Sequence, residues 1–190
     1  MKVTIVLFFI AVVTIASCYP VIPYTYPLYK QCDPEWANQI METTTICEVG
    51  CLMSSTSMAM GGKGITIDTN TSNPSTFNYW LRNNNGYTSN DELIESVVPD
   101  INNQLIEWDG SKLNGTALSM TDIQNILDET NNILILNVRN GTHFVLATGY
   151  DTTLQDVIYV NDPGFDQDFY YYDTVVGYRF FTMYPANSSQ

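Results

Sequence analysis

Positive charge is scarce in this sequence. The chain has 7 Lys and Arg residues against 20 Asp and Glu residues, which gives a formal net charge of −13 at pH 7. Without a basic patch to neutralise phosphates, nucleic acid is not expected as a partner. An anionic membrane surface is disfavoured for the same reason.

Histidine is almost absent, because His143 is the only one in 190 residues. One histidine with paired cysteines does not make a typical zinc site. The motif from Asp166 to Asp168 lacks the Gly and Glu of a calcium loop. We therefore expect no metal and no other cofactor, and any imidazole chemistry must pass through His143.

Long apolar runs are absent after residue 18, since Asp, Asn or Gly breaks each of them within about ten residues. The N-terminus differs, because Lys2 precedes an apolar stretch over 3–16 and small residues follow it. This pattern is typical of a secretory signal peptide, and it is shorter than the roughly twenty residues that span a bilayer. We expect residues 1–18 to be a signal peptide, with an uncleaved anchor as the alternative. The protein would then have no membrane span and be secreted or lumenal, in an extracellular or lysosomal compartment.

Four Asn-x-Ser/Thr sequons agree with export. They begin at Asn70, Asn114, Asn140 and Asn187. Any one could arise by chance in an Asn-rich chain, but together with the signal peptide they favour a eukaryotic secretory route. We expect fuller glycosylation at Asn70 and Asn114, in polar loops, than at Asn140, whose Asn-Gly turn would aim a glycan away from His143.

The cysteine count leaves one thiol over. If the signal peptide is cleaved after Cys18, then Cys32, Cys47 and Cys51 remain. Three cysteines cannot all pair within one chain, and a leftover thiol in a secreted protein is either intermolecular or reactive.

The part of the chain after residue 18 fits one domain. Residues 19–30 are rich in Tyr and Pro, which predicts an extended lead-in without a helix, and we expect residues 31–190 to form the domain. Helix signals dominate its first two thirds. The predicted helices begin at or just after positions 33–34, 51, 73–74, 90–91 and 121, and residues 43–47 are predicted to be extended.

Strand patterns dominate the last third of the chain. Five β-branched or aromatic runs alternate with Asn-Gly, Asp and Asp-Pro-Gly turns. The predicted strands are 133–138, 143–150, 157–161, 169–172 and 175–181. Helices first and a strand meander at the end predict an α+β protein with segregated halves.

Cys51 has the setting of a nucleophile. It is predicted to open a helix directly after Gly50, where backbone N–H groups and the helix dipole favour a thiolate. A cysteine nucleophile also needs a nearby imidazole and donors for a developing oxyanion. The spacing alone leaves equally open a structural cysteine or a partner of Cys47.

His143 and Asp162 occupy matching places on two predicted strands. His143 starts its strand just after the Asn140-Gly141 turn, and Asp162 follows the end of the next strand. These two places are neighbours in an antiparallel hairpin, so Asp162 would orient the imidazole and stabilise its cation. The alternatives are a satisfied core histidine and an Asp-Pro-Gly tripeptide that is only a turn.

In this order and spacing the residues resemble a known family. Five segments carry the resemblance, which covers roughly 29–181: YKQCDPEWA, TICEVGCLMSSTSMAM, FNYWLRNNNGY, GTHFVLATGYD and VNDPGF. They are similar to the bacteriocin-processing peptidase-like domain of the papain-like cysteine peptidases. The resemblance implies a papain-like α+β fold, in which an N-terminal helical half carries the cysteine and packs on a C-terminal antiparallel sheet.

The resemblance also implies a role for each candidate residue. Cys51 matches the nucleophile, His143 the general base and acid, and Asp162 the residue that orients the imidazole. Gln31 is similar to the glutamine whose side-chain amide forms the oxyanion hole with the Cys51 N–H. The leader peptidases of the family place that glutamine a few residues before the cysteine, whereas here the two are twenty positions apart. This departure resembles the secreted, stand-alone branch.

We expect a disulfide between Cys32 and Cys47, with Cys51 left free. Closing a loop of about fifteen residues is worth roughly 3 kcal/mol in the chain-entropy estimate. The rival bridge between Cys47 and Cys51 would join two residues four apart, which have the wrong geometry if both lie on one helix. That bridge would also end the catalytic interpretation.

The sequence thus predicts a secreted thiol hydrolase that cleaves peptide or amide bonds through an acyl-enzyme at Cys51. An acyltransferase with the same Cys-His centre is a close variant. The alternative from another class is a non-catalytic secreted binding or surface protein on the same fold. We expect a peptide or amide substrate and a monomer.

Overall fold

The computed structural model describes residues 20–154 and 156–186. The predicted signal peptide and the sequon at Asn187 lie outside these residues. Within them, none of the helices has the length and apolar character needed to cross a membrane.

The described residues form four α-helices and four short 3₁₀ helices. The α-helices are α1 (Ile46–Val49), α2 (Cys51–Gly62), α3 (Pro74–Asn83) and α4 (Met120–Asp128). The 3₁₀ helices are Glu95–Ile101, Gly115–Ala117, Arg139–Gly141 and Tyr172–Thr174.

Two α-helices begin where the sequence predicts. α2 starts at Cys51, directly after Gly50. α3 has Asn73 as its N-cap, whose side chain accepts the N–H of Thr76 at 2.9 Å, and Pro74 occupies the first turn. Both starts follow local signals that need no tertiary contact to act.

The first predicted helix, after Asp33, is wrong. These residues form turns, in which the N–H groups of Trp36 and Ala37 both donate to the Asp33 carbonyl, at 3.0 and 2.7 Å. The Trp36 indole then donates to the Lys30 carbonyl at 2.8 Å. The indole is therefore anchored back on the lead-in, and this tertiary contact overrides the helix signal.

Residues 43–47 are not a continuous extended segment either, because only Thr45 is extended, in an isolated bridge with Ile40. The Asp91 carboxylate accepts the backbone N–H groups of residues 42–44 at 2.7 to 3.1 Å, which bends them into a turn. Thr45 then caps α1 in a capping box with Glu48. A distant carboxylate thus decides the local structure, although the Thr-x-x-Glu spacing was readable in the sequence.

The predicted helix over 91–98 and the predicted start of the next helix at Thr121 both need correction. Asp91 has a φ of 66°, which an α-helix does not accept, and a 3₁₀ helix begins only at Glu95. α4 is capped by Ser119 in a capping box, two residues before the predicted cap.

Seven strands form one sheet in which every paired neighbour is antiparallel. They are β1 (Pro20–Val21), β4 (Ile106–Lys112), β5 (Asn132–Val138), β6 (His143–Asp151), β7 (Val157–Asn161), β8 (Phe169–Tyr171) and β9 (Gly177–Met183). The order is β4-β9-β5-β6-β7-β8, with β1 also paired to β6. A separate hairpin joins β2 (Thr66–Ile67) and β3 (Asn70–Thr71).

The sheet departs from the predicted meander at one edge. β4 lies outside the predicted strands, because its sequence is polar and interrupted, with a register shift between Trp108 and Gly110. β9 inserts between β4 and β5 instead of pairing with β8. Only β5 to β8 therefore form the expected meander, and the fold is α+β with mixed helices and an antiparallel sheet.

The two faces of the sheet bury two hydrophobic clusters. On β5, Ile133 and Ile135 join the cluster that contains the helix α2 methionines, while Leu134 and Leu136 join the cluster on the α4 face. α2 packs on β6, where the Ser55 hydroxyl donates to the Phe144 carbonyl at 3.2 Å. This contact brings the N-terminal half of α2 beside the first residues of β6.

The lead-in is extended and lies on the domain. Val21 pairs with Tyr150 on β6. The hydroxyl of Tyr24 donates to the Gly62 carbonyl at 2.7 Å, and that of Tyr29 donates to the Ser72 carbonyl at 3.1 Å. The tyrosines therefore fix the lead-in against the C-terminal end of α2 and the segment before α3.

Candidate active site

Cys51 lies at a corner between two helices. α1 ends at Gly50 and α2 begins one residue later. A Cβ on Gly50 would lie 2.5 Å from the Ile46 carbonyl oxygen, so this close backbone approach requires glycine. As the first residue of α2, Cys51 has a backbone N–H that the helix leaves unpaired. Its thiol is free and partly exposed.

His143 opens β6 immediately after a left-handed turn. Arg139, Asn140 and Gly141 have φ values of 53°, 57° and 91°. The His143 side chain is buried, and its Nε2 lies 2.7 Å from Oδ1 of Asp162. Since Asp162 occupies Nε2, Nδ1 is the ring nitrogen left to exchange a proton with Cys51.

Asp162 is buried behind the imidazole and is fully hydrogen-bonded. Besides His143, its Oδ1 accepts the N–H groups of Gly164 at 2.8 Å and Phe165 at 2.9 Å. Its Oδ2 accepts the Tyr170 hydroxyl at 2.8 Å. Burial opposes the charged carboxylate, but these hydrogen bonds and the charge of the imidazole hold the pKa of Asp162 below its usual range.

The pKa of His143 is raised. Burial alone would lower it, but hydrogen bonds to Asp162 and to the Cys51 side chain, with the negative charge of both partners, raise the pKa to about 9. The imidazole is therefore positively charged at neutral pH. A charged imidazole beside a cysteine stabilises the thiolate that a nucleophile needs.

Gly164 and Phe165 pack against the side of the imidazole. A Cβ on Gly164 would lie 2.9 Å from Cε1 of His143, so no larger residue fits there without moving the ring. The Phe165 ring stands edge-on to the imidazole, with centroids 5.0 Å apart. The Arg139 guanidinium lies 3.9 Å from the centre of the Phe165 ring.

Gln31 reaches the site from the end of the lead-in. Its side-chain Nε2 donates to the Cys47 carbonyl at 2.6 Å, and its backbone N–H donates to the Pro163 carbonyl at 2.8 Å. Cys32, the next residue, forms a disulfide with Cys47. The loop that this disulfide closes accounts for the long sequence interval between Gln31 and Cys51.

A cavity of about 760 Å³ unites three of the four candidate residues. Gln31, Cys51 and His143 line it, while Asp162 lies behind His143 and is 1% exposed. The cavity can thus hold an extended substrate against a thiol, an imidazole and a carboxamide at once.

Sequence reasoning missed the residues that support the imidazole. Gly164 belongs to the predicted Asp-Pro-Gly turn, and its contact with His143 has no local signal. Tyr170 lies on a predicted strand, but nothing in the sequence says that its hydroxyl meets Asp162. Phe165 and Arg139 likewise come together only through the fold.

The sequons within the described residues are all exposed. Asn70 follows the β2–β3 turn, Asn114 caps a 3₁₀ helix, and Asn140 lies in the left-handed turn before β6. Arg139 and Gly141 line the cavity, whereas Asn140 is not among the lining residues. Its side chain therefore lies at the rim and not in the cavity.

One comparison with known proteins gives a match. The model of the Peptidase_C39 like family matches residues 24–190, a span that includes all four candidate site residues. No curated protein and no solved structure matches the chain.

Proposed function

Since this chain belongs to the Peptidase_C39 like family, we propose that it is a papain-like cysteine peptidase that acts through Cys51. The observation that carries the proposal is the buried pair of His143 and Asp162, 2.7 Å apart, in a site whose cavity also exposes Cys51. A helix that carries the cysteine and an antiparallel sheet that carries the histidine support the papain-like assignment. The substrate class is a peptide or another amide.

The charges of His143 and Asp162 would activate Cys51 for the first step of the proposed reaction. A positively charged His143 beside Cys51 favours the negatively charged form of the nucleophile that the proposed reaction needs. Asp162 keeps the imidazole charged and holds it through Nε2. The proton on Nδ1 therefore faces the position where the leaving amine needs it.

In the proposed reaction the Cys51 thiolate attacks the carbonyl carbon, and the electron pair of the C=O bond moves onto oxygen. His143 Nδ1–H protonates the leaving amine as the C–N bond breaks, which leaves an acyl-enzyme. Water then attacks the thioester while Nδ1 takes its proton, and the Cys51 thiolate re-forms as the acid departs. Throughout, Asp162 stays ionised and orients His143.

Two donors would stabilise the oxyanion. One is the backbone N–H of Cys51 at the start of α2, where the helix dipole also favours negative charge. The other is the Gln31 carboxamide, whose Nε2 carries two N–H groups, of which one donates to the Cys47 carbonyl. The remaining N–H is available for the substrate oxygen.

We further propose that the protein works outside the cytosol. The signal-peptide pattern of residues 1–18 supports this, and so do the sequons and a disulfide of the kind that persists in oxidising compartments. The proposed location is therefore extracellular or lysosomal.

Alkylation of the thiol tests the catalytic centre. Iodoacetamide at about pH 5.5 should label Cys51, because only a cysteine in an ion pair is a thiolate there. Cys51→Ser should abolish labelling, since the other two cysteines of the domain are in a disulfide, and His143→Ala should slow it at least tenfold. Equal labelling rates in the wild type and in His143→Ala would refute the proposal.

A peptide library read by mass spectrometry then identifies the reaction. Cleavage in ¹⁸O water with label in the new carboxyl group indicates hydrolysis. Transfer to an added amine would instead identify an acyltransferase with the same Cys-His centre. Labelled Cys51 without either product would favour the non-catalytic binding protein.

A further inference from the structure

The orientation of the Gln31 side chain depends on one hydrogen bond. Gln31 is buried, 8% exposed, and its Oε1 has no hydrogen-bond partner among the residues that the structure describes. Its Nε2 donates to the Cys47 carbonyl at 2.6 Å. Turning the amide over would bring two oxygens together at that distance, so the Cys47 carbonyl sets the rotation of the amide.

The Cys47 carbonyl is itself placed by a covalent link. Cys32 follows Gln31 directly and forms the disulfide with Cys47, whose Cα lies 4.3 Å from that of Cys32. Cys47 belongs to α1, the short helix that ends at Gly50 just before Cys51. The disulfide thus connects the segment that carries the carboxamide to the helical corner that carries the nucleophile.

Other contacts hold the rest of the loop that the disulfide closes, between Cys32 and Cys47. Its turn at 42–44 is bound to the Asp91 carboxylate, and the Cys47 N–H donates to the Ala37 carbonyl at 3.1 Å. Opening the disulfide would leave the Gln31 backbone bound to the Pro163 carbonyl, but it would remove the covalent link that fixes the Cys47 carbonyl relative to the Gln31 side chain. Cys32 is exposed and both cysteines line the cavity, so a small reductant can reach the bond.

We propose that the disulfide between Cys32 and Cys47 is a positioning device for Gln31, which makes turnover depend on the oxidised bond. This inference rests on the proposed function. Cys51 must be a thiolate while the neighbouring pair must be a disulfide, so the active enzyme has two opposite redox requirements in one cavity. A reducing compartment would keep Cys51 competent but switch turnover down, and an oxidising one would permit it.

The redox step requires an added dithiol as reductant and an added disulfide as oxidant. Two thiol groups of dithiothreitol reduce the disulfide with two electrons and two protons, which gives the thiols of Cys32 and Cys47 and oxidised dithiothreitol. Re-oxidation by oxidised glutathione reverses the step. Cys51 takes no part in either direction.

The test compares kcat, KM and the alkylation rate of Cys51 in four proteins. They are the wild type, the double variant Cys32→Ser/Cys47→Ser, the variant Gln31→Ala and the triple variant that combines them. We expect the double variant to lose about 100-fold in kcat, as removal of an oxyanion donor does, with little change in KM. Its Cys51 alkylation rate should stay within twofold, because His143 and Asp162 are untouched. The triple variant should lose no more than Gln31→Ala alone.

Three results would overturn the positioning role. They are an unchanged kcat in the double variant, losses that multiply in the triple variant, and a parallel loss of Cys51 alkylation that indicates a general structural defect. If the double variant does not fold, kcat of the wild type and of Gln31→Ala is measured in graded dithiothreitol, with circular dichroism to follow unfolding. Reduction should lower kcat of the wild type and leave that of Gln31→Ala unchanged, and equal losses in the two would overturn the positioning role. Failure of the proposed function has a different signature, because Cys51 alkylation would then not depend on His143.

Discussion

At the residue scale, His143 depends on Asp162 for both its orientation and its charge. The carboxylate occupies Nε2, and three further donors hold that carboxylate in place. The imidazole charge is therefore a property of the whole buried group and not of the histidine alone. Single substitutions that preserve the shape of a side chain can separate the effect of Asp162 on the orientation of His143 from its effect on the charge.

Asp162→Asn should lower the pKa of His143 from about 9. The amide keeps the size of the carboxylate but removes its negative charge, and burial then acts more strongly against the imidazolium. Because His143 is the only histidine, its ring proton can be followed without ambiguity by NMR titration. Asp173→Asn, on an exposed 3₁₀ turn, is the control and should leave the titration unchanged. An unshifted titration in Asp162→Asn would show that Asp162 does not charge the imidazole.

Tyr170→Phe should destabilise the fold by roughly 1–3 kcal/mol, since a charged, buried Asp162 oxygen loses its donor. Tyr171→Phe is a matched control on the same strand, because the Tyr171 side chain is 48% exposed. Urea denaturation of both variants measures the difference. Equal stability of the two variants would mean that the Tyr170 hydroxyl contributes little to Asp162.

The candidate site was partly readable one residue at a time. The Gly-Cys pair, the solitary histidine after a turn and the aspartate after the next strand each carry a local signal, and a hairpin relates the last two. Gly164, Tyr170 and Phe165 carry no such signal, because their roles consist of contacts with the imidazole and the carboxylate. Sequence patterns reflect the effect of a residue on its local backbone, whereas these three residues act through contacts with side chains that are distant in the sequence.

At the element scale, the junction of α1 and α2 determines the position of Cys51. The backbone turns so tightly at Gly50 that a Cβ would meet the Ile46 carbonyl oxygen and Cγ2, at 2.5 and 2.8 Å. The φ of Gly50 is −78°, so glycine is required by the close approach and not by a left-handed conformation.

Gly50→Ala should therefore both destabilise the protein and displace Cys51, with at least a tenfold slower alkylation of Cys51 at mildly acidic pH. Gly62→Ala is the control at the other end of α2, where the added Cβ meets the Tyr26 ring, a side chain that can move. That variant should lose stability without a change in alkylation. Normal alkylation in Gly50→Ala would show that the corner does not position Cys51.

The elements that sequence patterns predicted wrongly share one physical cause. In two places a side chain binds a backbone group of another segment. After Asp33 the Trp36 indole donates to the Lys30 carbonyl, and at 42–44 the Asp91 carboxylate accepts backbone N–H groups that a strand would use. β4 was not predicted because its polar sequence does not favour a strand, and its extended conformation depends on pairing with β9. Local propensity decides where nothing distant competes, as at α2 and α3.

At the scale of the whole molecule, the sheet order could not be predicted from strand patterns. Strand existence follows from residue type, and five of the predicted strands are present within a few residues. The insertion of β9 between β4 and β5 depends on which strand edges become buried in the folded sheet. The sequence of a single strand does not indicate this. The candidate site itself depends on a different contact, the packing of α2 on β6.

If the protein is exported as proposed, the positions of the sequons on its surface lead to a prediction about glycosylation. Asn140 is three residues before His143 in the chain, yet it is exposed at the rim of the cavity and absent from its lining. We expect partial occupancy or an outward-facing glycan there, with Asn70 and Asn114 more fully occupied. Asn140→Gln should then leave labelling of Cys51 within about twofold of the wild type, on the reasoning that surface substitutions away from buried contacts have small effects.

Glycopeptide mass spectrometry and probe labelling of the same secreted samples test this prediction, with Asn70→Gln as a control far from the cavity in sequence. Full occupancy at Asn140, together with a large rise in labelling when the site is removed, would contradict it. The glycan would in that case cover the entrance to Cys51, and a substrate as bulky as a folded peptide segment could not enter. The glycan on Asn140 would then block the cavity, and a non-catalytic binding protein would explain why the cavity is formed but closed to substrate.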